Sequence, residues 1–175
     1  MALDLSNLDY RPCVGIMVLN RDGLIWLGRR SDAKAKLGDQ GTWWQMPQGG
    51  IDSGEDTIAA AHRELYEETR IRSTELIAEH PEWLYYDLPA ALVGHKWGGR
   101  YRGQKQKWFA MRFVGDDSEI DISPDDQEIE FDAWRWAPAS EIMDLVVPFK
   151  ADVYRSVIRT FGPLIGPSQA AHPDA

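Results

Sequence analysis

One cysteine, Cys13, serves a chain of 175 residues. No disulfide can form within the chain, and a reducing compartment is the natural reading. Long apolar runs are missing too. The longest, CVGIMVL from Cys13 to Leu19, falls far short of the roughly 20 residues a spanning helix needs. The opening MALDLSNLDYRP lacks the basic-then-apolar order of a secretory signal. These absences point to a cytoplasmic protein with no membrane attachment. Net charge is −9, which argues against broad nonspecific binding to nucleic acid. Acid is itself absent from one long stretch. Leu88 to Gly115 holds no Asp or Glu but carries Lys96, Arg100, Arg102, Lys105, Lys107 and Arg112. That segment is either a solvated basic loop and strand or a surface that meets a polyanion locally.

What is present suits a globular protein. The apolar fraction is 43%, and the length fits one domain with a full core. Residues 14–19, 24–27, 43–46, 83–87, 107–114 and 133–136 read as strands, rich in β-branched and aromatic side chains. NRDG at 20–23 signals a hairpin turn. Helical stretches are predicted over 55–69 and over 140–161, the second interrupted by Pro148, which removes a helix hydrogen bond. The closing GPLIGPSQAAHPDA is rich in breakers and reads as a tail over 163–175, leaving 1–162 as a single domain. A mixed sheet with helices on its faces accommodates this order.

The first predicted helix carries RELYEE at 63–68. At 100° per residue, Ile58, Ala61, His62, Leu65 and Thr69 share an arc of roughly 100° and form the expected buried stripe. Glu64, Glu67 and Glu68 occupy the adjoining arc, about 180° to 280° from Ile58. Like charges so spaced repel by a few tenths of a kcal/mol per pair. Either water solvates this acidic face or a divalent cation relieves it. Hard cations such as Mg²⁺ take oxygen ligands and complete their shell with water and substrate phosphate.

The residues before the helix bear on that choice. Gly49, Glu55, Arg63, Glu64, Leu65, Glu67, Glu68 and Ile71 fall at the spacing G-x5-E-x7-R-E-U-x-E-E-x-G-U, where U is bulky and aliphatic. This resembles the signature of the Nudix hydrolases, with Arg70 in place of the final glycine. The resemblance implies an α/β/α sandwich with a mixed, partly antiparallel sheet. It also implies hydrolysis of nucleoside diphosphates linked to another moiety. Glu64, Glu67 and Glu68 then stand as catalytic metal ligands, for Mg²⁺ first and Mn²⁺ or Zn²⁺ as alternatives. Glu55 and Arg63 brace the loop against the helix. Gly49 and Gly50 are expected in tight turns close to phosphate. A glycine at that position usually takes the left-handed conformation, which costs another residue about 1 kcal/mol, while an arginine there complements the negative end of the helix.

Beyond the signature, YRPCVGIMVLN (10–20), WQMPQGGI (44–51), GQKQKWF (103–109), EFDAWRW (130–136) and VPFKADVYRSV (147–157) are similar to bacterial RNA pyrophosphohydrolases and dinucleoside polyphosphate hydrolases. By position, the similarity implies a further metal carboxylate at Glu130 and a base-holding cleft at Arg30, Val147 and Phe149. Arg11 and Lys150 are implied as phosphate contacts. Taken alone, Glu130 reads as a surface acid, Val147 and Phe149 as core, and Trp108, Trp134 and Trp136 as core strand residues. WGGRYRGQ at 97–104 also resembles hydrolases of diadenosine tetraphosphate. The substrate expectation is 5′-triphosphorylated or diphosphorylated RNA, with a dinucleoside polyphosphate as the alternative. A non-catalytic nucleotide sensor would have no need of the complete acid set. An isoprenoid diphosphate isomerase would want a pocket cysteine, whereas Cys13 falls on a predicted inner strand.

Overall fold

The computed structural model describes residues 4–32 and 43–165. Its centre is strand β1 (Asp9–Leu19), which runs parallel to β7 (Tyr101–Phe113) along its whole length. Around this pair lie β2 (Ile25–Arg30), β3 (Trp44–Gln45), β4 (Gln48–Gly50), β5 (Thr74–Glu79), β6 (Leu84–Asp87) and β8 (Phe131–Ala137). The sheet runs β3-β2-β1-β7-β5, with β4 beside β1, β6 beside β7 and β8 beside β2. Every pairing except β1 with β7 is antiparallel.

Side chains alternate across a strand, and both faces of β1 are covered. Val14, Ile16 and Val18 pack with Phe109 and Met111 against helix α1 (Thr57–Thr69). Met17 and Leu19 pack with Trp108 and Ala110 on the other face, against helix α4 (Ala151–Phe161). That double burial explains the unbroken apolar run at 13–19. Two short helices, α2 (Ala90–Val93) and α3 (Ala139–Leu145), complete the α-helices of the described residues. The result is the α/β/α arrangement, with a mixed and mostly antiparallel sheet. Pro148 opens a 3₁₀ turn over Pro148–Lys150 between α3 and α4, so the predicted interruption falls where expected. No described helix is long and apolar enough to cross a membrane. Of the expected tail, residues 166–175 lie outside the described residues.

Four strand expectations change, the first being β1, which begins at Asp9, five residues before the predicted start, because its opening runs beside that of β7. β7 begins at Tyr101, six residues before the predicted start, because its polar opening pairs with β1 on one side and β6 on the other. β5 carries Glu75 and Glu79 and leaves Leu76 51% exposed. It forms the end of the sheet path, where only one side needs a partner. β4 is a three-residue strand opposite Cys13–Gly15.

Helix α1 is rotated from the expected setting. Asp56 caps it, its carboxylate accepting from the Ala59 N–H, so the helix starts two residues after Glu55. The residues actually buried are Ala60, Ala61, Leu65 and Thr69, while His62 is exposed. On the same angular scale the buried arc runs from about 200° to 20°, so His62 at about 40° is outside it. Glu64 and Glu68, at about 240° and 280°, fall within it. The packing of two adjacent alanines under the sheet turned the acids inward.

Arg70 ends α1 with φ 62° and ψ 7°, the left-handed conformation, its N–H donating to the Tyr66 carbonyl. Its guanidinium lies 4.7 Å from the Tyr66 ring and pairs with Asp126. Arg70→Gly relieves about 1 kcal/mol of backbone cost and forfeits contacts of similar size. Its stability is therefore expected within about 1 kcal/mol of the parent by denaturant unfolding, with turnover unchanged. A tenfold loss of turnover in a folded variant would place Arg70 in the active site.

Candidate active site

Glu64 and Glu68 project from α1 towards β4, and together they line an open cleft of about 500 Å³. Gly49 and Gly50 form its floor, neither in a turn nor at positive φ. Their small size serves a different end. A Cβ on Gly49 would lie 2.0 Å from the Glu64 carboxyl carbon, and one on Gly50 would lie 2.3 Å from Arg11 Nη2. The glycines leave the room those side chains occupy.

The loop joining β4 to α1 is fixed by one arginine. Arg63 donates to both Glu55 oxygens at 2.8 Å and to the Gly50 carbonyl at 2.9 Å. Glu55 also accepts from the Asp52 N–H, and this arrangement holds its carboxyl down at about 2. Arg63 further touches Glu64 at 2.9 Å and Glu67 at 3.3 Å. Arg63 thus contacts Glu55, the Gly50 carbonyl and two of the helix acids at once.

Those acids differ. Burial raises the Glu68 carboxyl well above its ordinary value, and the charge of Glu64 adds to that. Its hydrogen bond from the Gln48 N–H, at 3.3 Å, opposes the shift. Glu64 is raised by burial and held down in part by Arg63. Glu67 is more open, with 34% of its side chain exposed against 14% for Glu64, and sits at the rim beside Arg63. Two desolvated carboxylates side by side suit a hard divalent cation. Among the described residues no three acidic, His or Cys side chains converge on one point. A bound ion would complete its shell with water and phosphate.

Cations line the other walls. Arg11 and Arg30 reach the cleft, and Arg30 pairs with Asp32 at 2.7 Å and with Glu130. Glu130 thus faces the site, bound to an arginine. Lys150 is buried just behind, its ammonium donating to Gln45 and Gln48 at 3.1 Å each. Burial lowers its pKa well below the usual lysine value, and the nearby Arg30 and Lys96 reinforce this. Arg30 lies 5.3 Å over the Trp43 ring, which Phe149 meets edge-on at 5.6 Å. Val147 is buried in this same small cluster, apart from the two main cores. Arg30, Val147 and Phe149 therefore come together around an indole. Trp108 is core, as expected, and Trp134 and Trp136 pack against the core under α1. Cys13 is fully buried, which pushes its thiol up to about 11.

Several cleft residues were missed by sequence reasoning. Gln106 donates to Gln104 at 2.8 Å and to Gln48 at 3.1 Å, and accepts from the Trp108 indole N–H at 3.0 Å. Gln104 and Gln106 are buried, so this network fixes the polar end of the cleft. Glutamines alternating with strand aromatics in GQKQKW and WQMPQ were the available signal. His95, Lys96 and Trp97 form the far wall.

A family model described as the NUDIX domain matches residues 9–159. The chain belongs to the Nudix family. A protein of Rhodopseudomonas palustris named RNA pyrophosphohydrolase is 55% identical over 160 residues, covering 91% of this chain and 95% of that one. One of the same name from Mesorhizobium japonicum is 53% identical, covering 93% and 95%. Among solved structures, the dihydroneopterin triphosphate pyrophosphohydrolase of E. coli shares the Nudix fold, with a TM-score of 0.66 at 18% identity over 86% of this chain and 96% of that one. The chain is thus a Nudix hydrolase, of a family that works with divalent metal ions.

Proposed function

We propose that this hydrolase removes pyrophosphate, or phosphates in succession, from the 5′ end of triphosphorylated or diphosphorylated RNA. The product is 5′-monophosphate RNA, which promotes decay of the transcript in the cytoplasm. The observation that carries the reading is identity above 50% along nine-tenths of the chain to proteins named for that activity. Domain 1–162 is assigned this whole function.

The site chemistry supports it. Glu64, Glu67 and Glu68, with Glu130, are the carboxylates assigned to metal, and their hard oxygen set favours Mg²⁺. Bound there, the ion would neutralise phosphate charge and lower the pKa of water. Arg11 and Lys150 hold phosphate oxygens and so orient the chain for in-line attack. Gln45 and Gln48 hold the Lys150 side chain behind the cleft. A base is also required for the proton of the attacking water, supplied by a box glutamate or by one from a distant loop. Arg30, backed by the buried Trp43 and Val147 and beside Phe149, is assigned the face on which a base stacks.

Substrate choice is tested by competition. The basic stretch from Leu88 to Gly115 is less available than its sequence suggests. Lys107 pairs with Glu79 at 3.1 Å, Arg112 donates to the Asn20 carbonyl and Arg102 pairs with Asp87 at 3.0 Å. Exposed Arg100 and half-buried Lys105 are the positions assigned to meet RNA. A triphosphorylated RNA of several nucleotides is expected to have a higher kcat/KM than diadenosine tetraphosphate. The advantage should shrink as salt rises, by a slope of about 0.7 per phosphate neutralised on a single strand. If diadenosine tetraphosphate wins at every salt concentration, the enzyme is a dinucleoside polyphosphate hydrolase instead.

A further inference from the structure

The cleft opens onto a series of rings and cations that the hydrolysis of a short phosphate chain does not use. Lys96 lies between two indoles, 5.7 Å from the Trp43 ring and 5.5 Å from that of Trp97. Trp97 has φ 50°, and Gly98 and Gly99 follow at 66° and 71°. A left-handed tryptophan is disfavoured by its own Cβ, so packing must hold this turn in place. Arg11 covers the Trp97 ring at 5.3 Å, and Trp97 meets Tyr101 edge-on at 6.2 Å.

From Tyr101 the surface runs into a second open depression, also about 500 Å³, lined by Asp9, Tyr10, Pro12, Tyr85 and Lys105, with the exposed Asp9 carboxylate at its margin. Tyr10 and Tyr85 stand edge to face with centroids 5.0 Å apart. A cation accompanies nearly every ring: Arg100 over Tyr101 at 5.7 Å, Arg102 over Tyr10 at 5.1 Å and Lys105 over Trp83 at 5.5 Å. Tyr85 is 54% exposed and Trp83 36%, although burial would favour both rings. Asp87 does not oppose an anion here as a bare charge, since it accepts from the Tyr10 hydroxyl at 2.8 Å and from Arg102 at 3.0 Å.

The position of this depression ties it to catalysis. Trp97, a wall of the cleft, meets Tyr101, which lines the depression, so the two join around the end of β7, while Pro12 with Lys105 and Cys13 with Gly50 lie on opposite faces of β1. Tyr101 to Lys105 spans four strand steps, about 13 Å. At a stacked rise of roughly 3.4 Å that length accommodates about four bases. Rings that stack bases, interleaved with cations that meet phosphates, make a sequence-tolerant surface for a single strand.

We infer that this track, from Trp97 through Tyr101 to Tyr85 and Trp83, binds the single-stranded body of the RNA behind its 5′ phosphates. The inference rests on the RNA reading above. It is tested with triphosphorylated RNAs of two and six nucleotides sharing one 5′ sequence. The parent is expected to favour the hexanucleotide about tenfold in kcat/KM, in line with one or two stacked bases. In the double variant Trp83→Ala, Tyr85→Ala the ratio should fall to within about twofold of one, and Tyr85→Phe, which keeps the ring, should preserve it. Lys105→Glu reads the same surface through charge and should lower the ratio most at low salt. Equal kcat/KM for both RNAs in the parent, or a tenfold ratio kept by the alanine and Lys105→Glu variants, would overturn the track and leave the RNA reading intact. Turnover of neither RNA, alongside full turnover of diadenosine tetraphosphate, would overturn both.

Discussion

Glu68→Gln is expected to lower turnover at least about 10²-fold, a loss of roughly 3 kcal/mol of transition-state stabilisation. The glutamine fills the same space and still accepts from the Gln48 N–H, so only the charge is lost. Folding should not suffer. Burial holds the Glu68 carboxyl well above its ordinary pKa, which means its ionised form destabilises the metal-free protein at neutral pH. Removing that charge leaves the melting temperature without Mg²⁺ equal to the parent's or higher. Glu67→Gln at the rim should show a comparable activity loss with a smaller change in stability. Turnover within threefold of the parent across a range of Mg²⁺ concentrations would remove either glutamate from the metal site.

The same shifts set a pH dependence. Glu64 and Glu68 have raised folded-state values, so their ionisation costs stability once pH passes through those values. A cation that pairs with the ionised forms therefore stabilises most at high pH and competes with protons at low pH. Mg²⁺ should raise the melting temperature more at pH 8 than at pH 5. The acid limb of the activity profile should move to lower pH as Mg²⁺ is increased. A limb that ignores Mg²⁺ would mean that these carboxyls do not bind it.

The local features of this protein were legible where one residue type dictates one geometry. Pro148 broke the second helix, NRDG turned the first hairpin, and the run at 14–19 marked a strand. The fixed spacing of Glu55, Arg63 and the three glutamates carried the brace of the active site. What escaped depends on contacts between distant segments. The opening of β7 is polar because it lines the cleft and the second depression, so no apolar alternation marks it. α1 had the correct residues but the wrong rotation, since periodicity finds a stripe and the sheet decides which alanines it meets. That rotation moved Glu64 and Glu68 from the border of the stripe into it, and it accounts for the difference between them and Glu67. The glutamine network holding Lys150 joins Gln45, Gln48 and Gln106 across three strands, a relation that spacing cannot express.

Gly49→Ala is expected to lower turnover about 10- to 100-fold while leaving the protein folded, the scale of losses when a metal ligand is held in the wrong place. Gly49 lies in extended β4 opposite Val14, a conformation alanine adopts without strain. Its backbone freedom is therefore not what the site needs. Its missing Cβ is, because that atom would stand 2.0 Å from the Glu64 carboxyl carbon and 2.1 Å from Oε2. Nothing can pack at that distance. The obstacle is the far end of a side chain, so Glu64 swings aside and the sheet stays in place. Displacement weakens the contact with Arg63 at 2.9 Å and moves the carboxylate away from Glu68. The expected signature is a melting temperature within a few degrees of the parent, weaker Mg²⁺ dependence and lower turnover that rises when Mg²⁺ is raised. Gly50→Ala is a control for specificity, since its Cβ meets Arg11 and should raise KM for phosphate binding more than it alters the Mg²⁺ requirement. Full activity in folded Gly49→Ala, with an unchanged Mg²⁺ requirement, would show that catalysis does not depend on Glu64 where β4 and Arg63 now hold it.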